Sequence, residues 1–282
     1  MNKQKVAYQL THSEEDLQER ARWFSEQEDL HLVPFEKISS AGTSSDAAAA
    51  AVLWPVLKIG RSRTVLLWQG TQLFFHPSMA LLRLIELKKG GNDRFLEAAD
   101  LREGHTLVDA TMGLAADALL AAVRVGETGR VLALEASPLI AALVKDGLRR
   151  LSQGPAPKAG AVKTDAWQEL AAAAARIEVQ YCRHLDFLRA QPSATVDTVY
   201  FDPMFERTRR QSAAMRPLKL WAVPEPISVE AVTEARRIAR RVVLKERSFS
   251  AEFDRLGFTR WPSGRYSPVG YGIIQQEGSL TL

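Results

Sequence analysis

Residues 105–117 read HTLVDATMGLAAD, and the fold turns on them. Leu107 and Val108 lead to Asp109, a turn follows with Thr111 and Gly113, and the next dozen residues are rich in alanine and leucine. That succession predicts strand, tight loop and helix. The first N–H groups of such a helix lack intrahelical acceptors, and its positive dipole end faces whatever lies beyond the strand. An acid closing the strand repels a pyrophosphate and suits a ligand with a cationic amine. Taken alone, Asp-x-Thr-x-Gly also fits a structural turn in which Gly113 only permits a tight bend.

Further along, the pattern repeats. Residues 130–135, RVLALE, form a second strand closed by Glu135, and Ser137 and Pro138 start a helix to about Leu151. A helix over 164–176 precedes a third strand, 177–183, IEVQYCR, ending near Leu185 and Asp186. Residues 196–201, VDTVYF, are a fourth strand, running into Asp202-Pro203-Met204-Phe205. Ser228 caps a helix to about Arg240, and 241–245, RVVLK, are a fifth strand. A helix around 250–256 stops at Gly257; strands over 258–262 and 269–275 flank a turn with Ser263 and Gly264.

Five β-then-α alternations imply a parallel sheet with helices on both faces, and the final hairpin makes the last strand antiparallel. Ligands of such sheets lie at the carboxyl ends of the strands, where the strand order reverses. Asp109, Glu135, Asp186 and Asp202 are all expected there. Four acids on four successive strands are far more specific than any one of them. A nicotinamide site would want G-x-G-x-x-G after the first strand, and only Gly113 stands there.

This α/β, Rossmann-like arrangement resembles the seven-stranded sheet of class I methyltransferases, whose cofactor, S-adenosyl-L-methionine (SAM), carries an ammonium group. Glu135, 26 residues after Asp109, is expected to accept from the ribose hydroxyls. Asp186 or the backbone beside it is expected at the adenine amino group. Thr111, Gly113 and the helix N-terminus are expected around the methionine carboxylate. Asp202-Pro203-Met204-Phe205 is a variant of the Asp/Asn-Pro-Pro-aromatic tetrad of amino-group methyltransferases. An exocyclic amine on a base is a poor nucleophile because its lone pair is delocalised into the ring. A carboxylate and a backbone carbonyl can hold its two hydrogens and turn the lone pair outward, proline fixes the turn, and an aromatic ring stacks on the base. No strong base or metal is needed, since SAM is already activated and proximity supplies much of the rate.

With both motifs in place, the chain resembles the RsmJ family of small-subunit (16S) rRNA guanine-N2 methyltransferases. DATMGLAADALL, LALEASPLIAALVKDGL, VYFDPMF and the VVLK of the fifth strand carry the resemblance, over roughly 76–275. FHPSMALLRLIELKKGGNDRFLEAADL is similar to that family's lead-in, and Met204 in the tetrad is itself a family mark. The resemblance implies cofactor contacts from Ala116, Asp117, Glu135, Ala136, Leu185, Asp186 and Asp202, beside Asp109, Thr111 and Gly113. It implies a catalytic role for Asp202, Pro203 and Phe205. Arg207, Arg209, Arg210 and Lys245 are the expected RNA contacts. The chain departs from the family at Ala115 and Ala116, where the family has glycine and arginine, and at Asp186, where it tends to have serine.

Composition sets the outer bounds. The 282 residues are 46% hydrophobic and 25% charged, as in soluble globular proteins. No apolar run reaches membrane-spanning length, and MNKQKVAYQL has no signal-peptide core, so a cytoplasmic location is expected. One cysteine, Cys182, excludes an internal disulfide, and the five histidines lack ligand spacing, so no metal is expected. Net charge is +4, but residues 207–247 hold eleven Lys/Arg against four Asp/Glu, whereas residues 1–30 are acidic. That concentration suggests a polyanionic partner such as RNA.

Residues 1–75 are expected to form a small N-terminal α/β domain, with the methyltransferase domain over 76–282. A strand over 5–10, a helix over 13–28 capped by Ser13, an edge strand at 30–35 and strands at 55–59, 63–68 and 72–75 build it, with 39–51 as a loop. Pro77 is expected to open a helix ending at the Lys-Lys-Gly-Gly of 88–91, which reads equally as an anion cradle or an ordinary helix end. Asn92 is expected to cap a short helix to Ala99.

Three functions stay open at this point: the rRNA guanine-N2 enzyme, an amino-group methyltransferase for another base, a protein amide or a small molecule, and a non-catalytic ribosome-assembly module on the same fold. A pyrimidine C5 enzyme would need a nucleophilic cysteine, and Cys182 falls inside an expected strand.

Overall fold

A computed structural model describes residues 3–27, 29–36, 54–156, 160–203, 215–262 and 267–276. They form two units, one of residues 1–76 with 137–147 and 211–222, the other of the remainder.

The first unit is built on a five-stranded mixed sheet of order β2-β1-β3-β4-β5. Its strands are β1 (Gln4–Leu10), β2 (Leu30–Pro34), β3 (Val56–Ile59), β4 (Thr64–Trp68) and β5 (Thr71–Leu73). β2 and β3 flank β1 in parallel, and β3, β4 and β5 run antiparallel. Pro34, which has no N–H to give, sits on the edge strand. Helix α1 (Glu15–Ser25) buries Leu17, Ala21 and Phe24, the residues that recur at helical spacing. Its cap position is Glu14 and not Ser13, with no side-chain capping bond. The expected loop at 39–51 lies outside the described residues.

A buried ion pair braces this unit. The Arg20 guanidinium grips Asp146 through two bonds of 3.2 and 2.8 Å and donates to the Gly60 carbonyl at 2.8 Å. Thr64 Oγ1 donates to Asp146 at 2.9 Å, so every polar group of the cluster is served. Gly147 follows at once, and a Cβ there would fall 2.1 Å from the ring of Phe75. Gly147→Ala gains about 1 kcal/mol of helix propensity. It loses about 1–3 kcal/mol to overpacking. We expect net destabilisation, read as a lower urea midpoint with an unchanged m-value.

The second unit carries a seven-stranded sheet of order β11-β12-β10-β9-β6-β7-β8. The strands are β6 (Thr106–Asp109), β7 (Arg130–Glu135), β8 (Ile177–Tyr181), β9 (Val196–Phe201), β10 (Ala239–Arg247), β11 (Thr259–Arg260) and β12 (Val269–Gln275). β8, β7, β6, β9 and β10 are parallel neighbours, and β12 runs antiparallel to β10 and β11. The order reverses between β6 and β9, where the first strand meets the fourth of the alternation. This is the class I methyltransferase sheet.

Its helices are α2 (Ser78–Lys88), α3 (Arg94–Ala99), α4 (Ala116–Val125), α6 (Ala161–Ala174), α7 (His184–Ala190), α9 (Val229–Ile238) and α10 (Glu252–Arg255). α5 (Pro138–Gln153) begins in the first unit and ends in the second, and α8 (Met215–Trp221) belongs to the first. α4 buries seven of its ten residues and leaves Arg124 exposed. Val108, Leu134, Val199, Phe201, Val242 and Leu244 form a common core with Ala231, Ala235 and Ile238 of α9.

Four local expectations change. Asp93, not Asn92, caps α3, accepting from Leu96 N–H at 3.0 Å while it pairs with Arg83; a carboxylate can do both. Pro77 occupies the cap position of α2 and not its first turn. Lys88 and Lys89 pair with Asp165, Glu169 and Glu86, so 88–91 is a helix end. β8 stops at Tyr181, which puts Cys182 beyond the strand and Leu185 and Asp186 inside α7. The Ser263–Gly264 turn lies outside the described residues. Among the described residues, no helix is long and apolar enough to cross a membrane.

Candidate active site

The parallel strands deliver a row of charged side chains to one edge of the sheet. Asp109 pairs in register with Ala133 of β7 and Tyr200 of β9, and Leu244 with Phe201. Asp109, Glu135, Asp202 and Lys245 therefore all stand at the carboxyl ends of β6, β7, β9 and β10. Asp186 does not, being exposed in the first turn of α7. β8 ends at Tyr181, and Arg183, with extended backbone, is the cap position of that helix.

The loop after β6 is tightly turned. Gly113 has φ +54° and Ala115 φ +60°. The left-handed conformation costs a residue with a Cβ about 1–2 kcal/mol. Ala115 bears that strain with its methyl fully buried, at a position where the RsmJ pattern has glycine. Thr111 N–H donates to Asp109 at 3.2 Å, and Thr111 Oγ1 accepts from the Asp202 N–H at 2.6 Å. Gly113 N–H donates to Glu135 Oε2 at 3.2 Å. The loops after β6, β7 and β9 are thus tied together. Ala116 opens α4, and Ala136 follows β7, half-buried.

Beneath this edge lies a charge cluster that the sequence did not announce. Lys245 Nζ sits 3.1 Å from Asp117 and 2.7 Å from Asp202. Asp117 also accepts from Arg83 at 2.5 Å and from the buried Tyr200 hydroxyl at 2.9 Å. Arg83 in turn holds Asp93 by bonds of 2.7 and 3.0 Å. Lys245, expected among the RNA contacts, has its ammonium engaged by two carboxylates. Arg83, Asp93 and Tyr200 were missed because in sequence they are an ordinary helix residue, a cap candidate and a strand residue; only the adjacency of α2, the start of α3, α4, β9 and β10 joins them.

Electrostatics separate the three acids. Burial, then the charge of Asp117, pushes Asp109 well above the usual carboxylate range. For Asp117, burial would act the same way, but Lys245 and Arg83 outweigh it and hold its carboxyl at about 2. Asp202 is raised by burial, against the pull of Lys245 and with a further push from Asp117. Its side chain nevertheless keeps 29% of its surface exposed, the most open of the cluster. Burial would depress the Lys245 ammonium, but Asp117 and Asp202 overcome it and raise it. Pro203 is half-buried beside Asp202, whereas Phe205, Arg207, Arg209 and Arg210 lie outside the described residues. The Cys182 thiol is pushed up to about 11 by burial and by Asp186, which removes it as a thiolate nucleophile at neutral pH.

A parallel sheet with this strand order, acids closing its central strands and a tetrad start at the end of β9 define a class I methyltransferase. Residues 78–250 match the family model described as "Putative SAM-dependent methyltransferase". The uncharacterized protein YpiP of Bacillus subtilis (strain 168) is 35% identical over 222 residues, 78% of this chain and 81% of that protein. The chain belongs to this SAM-dependent methyltransferase family, and its cofactor is SAM. Ribosomal RNA small subunit methyltransferase J of Laribacter hongkongensis (strain HLHK9) is 35% identical over 144 residues, covering 49% of this chain and 45% of that protein. Its namesake in Nitrosococcus oceani is 28% identical over 74% of this chain and 84% of that protein. This chain thus spans about half the length of the Laribacter relative.

Proposed function

We propose that this methyltransferase modifies RNA, transferring the methyl group to the N2 amino group of a guanosine in small-subunit rRNA. The observation that carries the reading is the Asp202–Pro203 junction. It places a partly exposed carboxylate at the end of β9, with the Asp202 N–H held by Thr111 Oγ1. Asp202 accepts one hydrogen of the guanine amine, the Pro203 carbonyl takes the other, and Phe205 stacks on the base. The names of the small-subunit rRNA relatives support the class of substrate. The basic excess of 207–247 supports a polyanionic one.

The cofactor fits the chemistry of this edge. Asp109 and Glu135 on neighbouring strands offer acceptors for an ammonium and for ribose hydroxyls. Thr111, Gly113 and the N-terminus of α4, with Ala116 and Asp117, offer a loop for the methionine end. Ala136 would hold the ribose side of the cofactor, and Leu185, with Asp186 on α7, the adenine side. When bound, SAM supplies an activated methyl group; the chain's own residues position the amine and disperse the charge that develops on it.

Glu135→Ala is expected to weaken SAM binding by about 1.5–3 kcal/mol for each charge-assisted hydrogen bond lost. Calorimetry checks it, and unchanged affinity removes the ribose assignment. The substrate reading is tested by mass spectrometry of rRNA nucleosides from a deletion strain. Loss of one N2-methylguanosine, restored by the purified protein and SAM on undermethylated small-subunit RNA, is the expected result. A methyl group on adenine, on a ring carbon or on protein overturns it.

A further inference from the structure

We propose that Lys245 is a positioning residue for methyl transfer: its ammonium, bridging Asp117 and Asp202, holds the Asp202 carboxylate in place and charged. The inference rests on the reading of Asp202 as acceptor for the target amine. A carboxylate can accept a hydrogen from that amine; a protonated carboxyl presents a hydrogen of its own and loses this role on one oxygen.

Among the described residues, the geometry leaves Asp202 dependent on this one cation. Around it stand Lys245 and Glu246 of β10, Asp117 of α4, Arg83 of α2, Asp109 of β6, Tyr200 of β9 and Tyr271 of β12. Three of these are carboxyl groups, and two are phenols whose ionisation is suppressed by burial. Only Lys245 and Arg83 are cationic. Arg83 places its bonds on Asp93 and Asp117; among the described residues Lys245 alone bonds the Asp202 carboxylate, at 2.7 Å. The lysine is also held from behind. Asp117, itself fixed by the Tyr200 hydroxyl and Arg83, anchors the ammonium at 3.1 Å. Lys245 lies on a strand paired on both sides, with β9 and with β12. A rigid backbone and a second carboxylate thus fix the cation that fixes the acceptor, as a supporting shell must do for a reactive group.

The arrangement also explains why Asp117 and Asp202 differ although they share a cation. Asp117 is bonded by two cations and a hydroxyl and stays charged in acid; among the described residues Asp202 is bonded by one cation, and its side chain is partly exposed. Acid therefore reaches Asp202 first.

The test compares Lys245→Met, Lys245→Arg and Asp117→Asn with the native protein. The carboxyl carbon of Asp202 is followed by NMR against pH in cofactor-free protein labelled at aspartate, with Asp202→Asn to assign the signal. The pH profile of kcat/KM on small-subunit rRNA is recorded in parallel. In Lys245→Met, Asp202 is expected to titrate about 1–3 pH units higher. The acid limb of the rate profile moves with it. Lys245→Arg restores both toward the native values. Asp117→Asn, which removes the competing carboxylate and keeps the side-chain shape, moves the titration the other way; if Lys245→Met does not fold, Lys245→Gln, which keeps a polar group in place of the ammonium, carries the same test. An unshifted Asp202 signal in the folded variants overturns the role of Lys245. A shifted signal with an unmoved acid limb overturns the role of Asp202 in turnover, and with it the part of Lys245 in the reaction.

Discussion

Asp202→Ala is expected to yield a folded protein that transfers methyl groups about 10²–10³-fold more slowly, the loss typical of one preorganised polar group at developing charge. The amine gains positive charge as it attacks, and the carboxylate is the negative group at the end of β9 closest to solvent. Little stability should go with it. Asp202 sits at a strand end, and its backbone N–H, not its carboxylate, bonds Thr111. Its removal also relieves repulsion with Asp117 and Asp109 while leaving Lys245 paired to Asp117. Single-turnover transfer to rRNA, with circular dichroism and a urea midpoint on the same sample, reads both halves. A variant that keeps native turnover refutes the assignment.

Asp117→Ala is expected to act in the opposite sense, on stability first. Asp117 is the hub for Arg83, Lys245 and Tyr200, and its removal strips the Tyr200 hydroxyl of its acceptor inside the core. Breaking a buried ion pair from one side costs about 3–5 kcal/mol. The remaining contacts, Arg83 to Asp93 and Lys245 to Asp202, put the expected loss at the lower end of that range. The pH dependence has a fixed sign. Asp117 is depressed in the folded state from 3.8 to about 2. Its contribution is complete above about pH 4 and is lost as the pH falls toward 2. Asp109 and Asp202 are raised, so their burden on the fold is present above their folded values and eases as the pH falls through them. Native stability should therefore hold or rise from pH 7 to 5 and drop below about 4. In Asp117→Ala, the drop that belongs to Asp117 should be missing. Urea unfolding at stepped pH measures this, and a parallel offset between the two proteins at every pH would refute it.

The order of elements in the methyltransferase unit was legible because periodicity and punctuation agreed. β9 ends where the Asp-Pro pair stops it, Ser228 caps α9 by accepting from Ala231 N–H, and Gly257 turns at φ +75°. Where side chains of similar capping ability stood together, sequence alone chose wrongly. Asn92 and Asp93 are both cap residues; Arg83, 10 residues earlier in the chain, selects the carboxylate. The run IEVQYCR looks like strand throughout, yet pairing with β7 ends at Tyr181. That shift moved Asp186 from a strand end to a helix and Cys182 out of the sheet.

Sequence by itself determined the alternation of strands and helices, the parallel sheet with its antiparallel last strand, and the placing of Asp109, Glu135 and Asp202 at the carboxyl edge. Those follow from local rules: a period, a cap, an acid before a turn. Only the tertiary structure decided which charges meet. Arg83, Asp117, Asp202 and Lys245 come from one helix before the sheet, one helix after its first strand, and two neighbouring strands. Pairing of β9 with both β6 and β10 is what brings them within hydrogen-bond reach. A lysine read as an RNA contact became the partner of two carboxylates, one buried and one half-buried, because the cost of burying charge there is met only by its partners.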